Sequence, residues 1–311
     1  MKKFVQHTLM FLALFGVIFS GLNIHQANHP FEPTHYHKKY AALFTSQESD
    51  QDINGIIIGN SLAAYSLKPS ILDQTAVRYY NFAYGRADLD FYMNWFDHIF
   101  PLYDRPVEHC IISVDRSFFN PGRPRLVEQD SEYFPLQGFT DIILNSDMNS
   151  TSLFLNKFPA FKYRKELLKT IFEEQKPEIF ETDKYDRGYI PYNKPFKARH
   201  FVKKQITQVE ISNEKRVRFE NLLTRLQEAG ITVKMILTPE YGFSPEKNSV
   251  LLNYLNDVSV RFSIDLYDFN GKYANVNFEN AAYYSDMRHL NEAGSDLLSS
   301  LWVKAIGSTD K

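Results

Sequence analysis

Cysteine is nearly absent from the chain: Cys110 is the single one among 311 residues. That excludes an internal disulfide, and its place in an apolar run reads as a small buried hydrophobe. No excess charge of one sign is present either. The 35 Lys and Arg residues face 37 Asp and Glu, a net charge of -2, which removes the electrostatic case for nucleic acid. No phosphate-binding glycine loop occurs, and no H-E-x-x-H. Four histidines, His25, His29, His35 and His37, gather near the N-terminus. They lack nearby cysteine and a regular spacing, and read as solvated linker residues rather than a metal site. No metal or cofactor is therefore expected.

Aromatic residues are plentiful, with 26 Phe, 19 Tyr and 2 Trp, as suits a folded chain rather than a disordered one. The length allows one large domain or one domain carrying a big insertion. Lys2 and Lys3 precede a run without formal charge from Phe4 to Ile24, long enough to span a bilayer. Small residues for a cleavage site are poorly placed, with His25 two positions before Ala27. Residues 1–27 therefore read as an uncleaved signal anchor, with the rest of the chain outside the cytoplasm. Residues 28–53 read as a tether, and residues 54–311 as the folded domain.

Within that domain, apolar runs alternate with amphipathic stretches. Strands are predicted at Gly55 to Ile58, Ala76 to Ala83, Cys110 to Val114, Ile231 to Leu237 and Ser263 to Tyr267. Helices are predicted at Leu67 to Leu72, Leu89 to Leu102, from Ser212 to before Gly230, from Ser244-Pro245 to about Val260, and from Asn291 to Ile306. Strands alternating with helices imply a parallel sheet covered on both faces. From 121 to 208 that rhythm is lost. A structureless loop of this length is improbable, so a mainly helical insertion is expected there, either over the active face or as solvated surface.

The stretch with most chemical content is Gly55-Ile56-Ile57-Ile58-Gly59-Asn60-Ser61-Leu62. It reads as a buried strand and a tight turn that leaves Ser61 at the strand's carboxyl end, where ligands bind in open α/β sheets. A nucleophilic serine needs a base. Ser285-Asp286-Met287-Arg288-His289-Leu290-Asn291 offers one: Asp286 and His289, three residues apart, can point the same way just before the last helix. The carboxylate would then hold the imidazole in the required tautomer. The N–H groups of Ser61 and Gly85, each just past a strand end, are the candidate oxyanion donors. By residue chemistry alone, His289 also reads as a cap of the last helix.

Taken together these blocks resemble the SGNH (GDSL-type) hydrolase superfamily, and especially its membrane-anchored branch that includes DltD and the alginate O-acetylation proteins. Ile57-Ile58-Gly59-Asn60-Ser61 resembles the nucleophile block. Tyr80-Asn81-Phe82-Ala83-Tyr84-Gly85 resembles the block whose glycine lines the oxyanion hole. Ser285 to Asn291 resembles the block with the catalytic Asp and His. The usual third block, G-x-N-D, is replaced by Val114-Asp115-Arg116, with Asn120 a candidate for the missing third donor. The resemblance implies a flavodoxin-like three-layer α/β/α sandwich on a mainly parallel five-stranded sheet. It implies a serine esterase or O-acyltransferase using a Ser61–His289–Asp286 triad outside the cytoplasm, in the periplasm or beyond the cell. The substrate would be an acylated or acyl-accepting cell-envelope polysaccharide, with a membrane-bound O-acyltransferase as partner and no nucleic acid. Two other readings stand beside it. One is a catalytically inactive envelope protein of the same fold that binds a glycan or a partner protein; the other is a lipid esterase.

Overall fold

The computed structural model describes residues 2–28, 39, 53–85, 87–98, 107–119, 186–193, 210–271 and 278–309. The chain divides into two compact units, 1–34 with 124–180 and 35–123 with 181–311. In the first, helix α1 runs Lys2–Asn28. Its segment Lys3–Ile24 has a mean hydropathy of 1.8 and none of it is buried. Phe4, Leu9, Met10, Phe11, Leu14 and Phe15 are all exposed. The helix is long and apolar enough to cross a membrane.

The second unit is built on a five-stranded, all-parallel sheet: β1 (Gly55–Ile58), β2 (Tyr79–Asn81), β3 (His109–Ser113), β4 (Thr232–Leu237) and β5 (Asp265–Asp268). The order is β2-β1-β3-β4-β5. This is the flavodoxin-like order, and the chain reverses its direction of travel across the sheet between β1 and β3. Gly55 lies opposite Tyr79 on one side and His109 on the other, so β1 is central. All four β1 residues are buried, as a run of three isoleucines covered on both faces requires.

Alternation along the strands sends side chains to two different cores. Ile57, Ile111, Ile236 and Tyr267 pack with Leu298, Trp302 and Ile306 of the last helix, α7 (Glu292–Thr309). Two short helices, α2 (Ser61–Ala64) and α3 (Pro69–Leu72), share this layer through Ala63, Ala64 and Leu72. A second aromatic core joins Phe118, Phe119, Phe219 and Tyr254 edge to face, with ring centroids 5.1–6.0 Å apart. It lies among α4 (Leu89–His98), α5 (Asn213–Glu228) and α6 (Ser249–Phe262). The result is a three-layer α/β/α sandwich.

Several boundaries differ from the sequence reading for local reasons. Strand β2 spans only Tyr79–Asn81, because Ala76 adopts a left-handed conformation and the Asn81 side chain accepts the Ala83 N–H at 3.0 Å, turning the chain. Helix α6 begins at Ser249 rather than at Ser244-Pro245. The Ser244 carbonyl accepts both the N–H and the side-chain amide of Asn248, closing a separate turn first. On α5, Val217 is 57% exposed, while Phe219 and Lys215 take the inner positions. Lys215 does so by pairing with Asp90. Helix α4 is described as far as His98. The expectation of a helical insertion falls almost wholly outside the described residues, of which 186–193 is the exception.

Asp88 caps α4, accepting the Phe91 N–H at 2.9 Å. Burial pushes its carboxyl up to about 6, with the Phe91 bond and Lys215 opposing and Asp90 reinforcing the shift. A raised carboxyl contributes stability at low pH that is lost as pH climbs from about 4 through 6. Asp88→Asn keeps the cap and removes the buried charge. At pH 7.5 it should stabilise the detergent-solubilised chain by about 1–3 kcal/mol and flatten the stability profile between pH 4 and 6. Urea unfolding at pH 5 and 7.5 measures this; an unchanged profile would refute the assignment.

Candidate active site

The site lies at the carboxyl ends of β1 and β3, where the chain reverses direction across the sheet. Gly59 makes the turn possible. Its φ of 147° is a conformation that side chains disfavour, and a Cβ there would lie 2.8 Å from the Ser113 Cβ. Its backbone is clamped by one hydroxyl: Tyr92 Oη accepts the Gly59 N–H at 3.0 Å and donates to the Gly59 carbonyl at 2.7 Å. Asn60 then caps α2, its Oδ1 accepting the Leu62 N–H at 2.9 Å, while its Nδ2 donates to Asp115 and Ser117. Ser61 is left as the first residue of α2. Its N–H has no acceptor among the described residues.

The second half of the site is the loop from Tyr284 to Leu290. It closes on itself through a bridge between those two residues and a 2.9 Å bond from Ser285 N–H to the His289 carbonyl. Asp286 is its hub. Its Oδ1 accepts the N–H groups of Arg288 at 2.8 Å and His289 at 2.9 Å. Its carboxylate also meets His289 Nδ1, 3.0 Å from Oδ1 and 2.8 Å from Oδ2. Burial pushes the Asp286 carboxyl up, but these hydrogen bonds and the nearby imidazole outweigh it and hold the group well below the usual carboxylate range. An ionised Asp286 facing Nδ1 places the ring proton there and leaves Nε2 as an acceptor. That Nε2 lies 2.8 Å from Ser61 Oγ, across 228 residues of sequence.

Of the residues singled out from sequence, Ser61, His289 and Asp286 are thus brought together in one hydrogen-bonded line. Gly85 follows Tyr84, whose N–H donates to the Gly59 carbonyl at 2.9 Å, so it stands beside the Gly59–Ser61 turn. Asn120 lies outside the described residues. Cys110 is buried in β3, where burial pushes its thiol up and keeps it protonated. Among the described residues no cluster of His, Cys, Asp and Glu could hold a metal.

Other residues of the site carried no distinct sequence signal. Tyr65 and Tyr192 stack on each other, with centroids 4.7 Å apart and planes at 12°. Both stand against the His289 ring, at 5.3 and 5.0 Å. Tyr192 comes from the segment 186–193, which docks on the edge of β2. The Asn81 N–H donates to the Arg187 carbonyl at 2.8 Å, and a Cβ on Gly188 would lie 2.3 Å from the Asn81 carbonyl oxygen. Lys39, in the stretch read as a tether, is 1% exposed. Its ammonium donates to the Ala83 carbonyl and lies 5.5 Å from the Tyr84 ring centroid; burial lowers its pKa.

No protein-family model matches the chain, and no curated protein sequence does. Several solved structures are similar to it at low identity. The psychrotrophic esterase EstA from Pseudoalteromonas sp. is 10% identical, with 82% of this chain and 97% of that one covered and a TM-score of 0.42. The lipase/acylhydrolase from Enterococcus faecalis is 14% identical, covering 83% and 97%, TM-score 0.40. A GDSL-like lipase from Bacteroides thetaiotaomicron VPI-5482 is 10% identical, covering 89% and 98%, TM-score 0.41. The functional reading rests on the geometry of the site.

The Tyr92 clamp is directly testable. Tyr92→Phe leaves the buried Gly59 N–H without its acceptor, which costs about 1–3 kcal/mol. A melting temperature lowered by several degrees is expected. One equal to that of the unmodified chain would mean that the hydroxyl does not hold the turn.

Proposed function

We propose that this is a serine esterase or O-acyltransferase in which Ser61 attacks an ester carbonyl. The observation that carries the reading is the 2.8 Å contact of Ser61 Oγ with an imidazole whose other nitrogen faces Asp286. His289 takes the serine proton as the Oγ–carbonyl bond forms. The carbonyl electrons move onto oxygen, where the Ser61 N–H, aided by that of Gly85, receives the charge. The imidazolium, stabilised by Asp286, then protonates the departing alkoxide and leaves an acyl-serine. Water or a carbohydrate hydroxyl, deprotonated by His289, releases the acyl group and restores Ser61.

The stacked tyrosines beside His289 favour a substrate with a flat apolar face next to the ester, as the C–H face of a sugar ring provides. With α1 as an anchor and the folded unit outside the cytoplasm, the acceptor or donor would be an acylated cell-envelope polysaccharide. A membrane-bound O-acyltransferase would be a fitting partner.

A fluorophosphonate probe tests the chemistry. The full chain should be labelled, Ser61→Ala should not, and its melting temperature should be nearly unchanged, since one hydroxyl at the site contributes little to stability. His289→Ala should slow labelling by at least about 1,000-fold, because the two residues act as a unit. An unlabelled wild-type chain would sink the enzyme reading and leave a glycan-binding or partner-binding protein in its place.

Location has its own test. The chain should sediment with membranes after a high-salt wash and be digested by protease supplied from outside the cytoplasmic membrane. Recovery in the soluble cytoplasmic fraction would refute the anchor.

A further inference from the structure

The two reacting side chains are joined by a second, ionic route that bypasses their own hydrogen bond. Asn60 precedes Ser61 in sequence, and Arg288 precedes His289. Asp115, at the end of β3 and 2% exposed, stands between them. Its Oδ1 accepts Asn60 Nδ2 at 2.8 Å, and its Oδ2 accepts Arg288 Nη2. Ser117 Oγ lies 2.9 Å from Asp115 Oδ1 and 2.9 Å from Asn60 Nδ2, closing the ring. The other arm of the Arg288 fork, Nε, donates at 3.1 Å to Glu240 Oε2, past the end of β4. Arg116 approaches the same Glu240 oxygen at 3.9 Å.

We propose that Arg288 is a positioning residue for the Ser61–His289 pair, fastening the acid–base loop to the nucleophile turn through Asp115 and to the end of β4 through Glu240. The proposal rests on the ester-chemistry reading of the site. A planar guanidinium can serve two carboxylates at once in fixed directions, which a lysine ammonium does not reproduce. The Tyr284–Leu290 loop otherwise reaches the end of β4 by a bond from the Tyr241 N–H to the Met287 carbonyl at 3.1 Å. Burial pushes the Glu240 carboxyl up while Arg288 draws it down, so removing Arg288 strands the buried carboxyls of Glu240 and Asp115 without their shared partner.

The His289 ring itself meets Asp286, Ser61, Tyr65 and Tyr192, while Arg288, Asp115, Arg116 and Glu240 form the ionic group that ties its loop to the ends of β3 and β4. Loss of the guanidinium therefore unfastens the loop from both strand ends, and the His289 ring loses its fixed place against Ser61 Oγ. The consequence is a rate that falls through lost alignment.

The experiment compares full-length wild type, Arg288→Gln, Arg288→Lys and Glu240→Gln in detergent. Fluorophosphonate labelling rates are read from pH 5 to 9, and His289 ring signals by NMR of 13C-histidine-labelled chain. Arg288→Gln should slow labelling about tenfold or more at pH 7 and broaden or split the His289 signals. Arg288→Lys should recover part of the rate. Glu240→Gln, which removes one arm, should slow labelling about threefold, and it carries the test should Arg288→Gln fail to fold. A folded Arg288→Gln with unchanged rate and His289 signals would overturn the proposal, as would Lys behaving like Gln or a Glu240→Gln rate equal to wild type. A wild-type chain that is not labelled, yet loses ring order in Arg288→Gln, would refute the ester reading while leaving the brace intact.

Discussion

Everything at this site depends on one backbone turn that only glycine adopts with ease. Gly59 has a φ of 147° and no room for a Cβ beside Ser113, so β1 can end abruptly and α2 can begin two residues later. Parallel pairing on both sides fixes β1 in the interior of the sheet. The Tyr92 hydroxyl then holds both polar groups of Gly59, and the Asn60 side chain takes the Leu62 N–H. What emerges is a serine whose backbone donor is unspent and whose side chain faces the chain's last loop. A buried run of isoleucines supplies the platform, but the direction of Ser61 comes from polar contacts around a strained residue.

Two carboxylates near that serine meet opposite fates. Asp286 sits among N–H donors and an imidazole, which hold it ionised. Glu240 lies where burial dominates, and its charge is favoured chiefly by Arg288. The first can stabilise an imidazolium without accepting its proton. The second depends for its state on a guanidinium, so local charge in this part of the site is set by a network rather than by any one group. Separating acidic groups in this way, by their surroundings and not their chemistry, is a common means of dividing labour within one site.

Much of this could be read from the sequence because it was local. The Gly55 to Ser61 stretch carries its strand, its turn and its serine within a few residues, and Asp286 and His289 are held by a loop that bonds to itself. The alternation of apolar runs also indicated the parallel sheet. What escaped were residues whose role comes from distant partners. Tyr92 reads as one more aromatic on an amphipathic helix, yet its hydroxyl reaches Gly59, 33 residues earlier. As sequence, Arg288 has no role of its own within the Ser285 to Asn291 block, yet it meets Asp115, 173 residues away. Lys215 fell on a position where an apolar side chain is the ordinary choice, and its partner Asp90 lies on another helix. The boundary errors had a different, local origin: a side-chain amide, of Asn81 or Asn248, competed with the regular backbone pattern.

The short segment that carries Tyr192 has a wider consequence. It is fastened to β2 by a backbone bond at Asn81 and by the missing side chain of Gly188, and to the Tyr284–Leu290 loop by a bond from the Ser285 hydroxyl to the Tyr192 carbonyl. The second ring of the wall, Tyr65, follows Ser61 by four residues and donates its N–H to the Ser61 carbonyl. Wall and hydrogen-bonded line therefore share their fastenings, so a substitution that reshapes one is felt in the placement of the other.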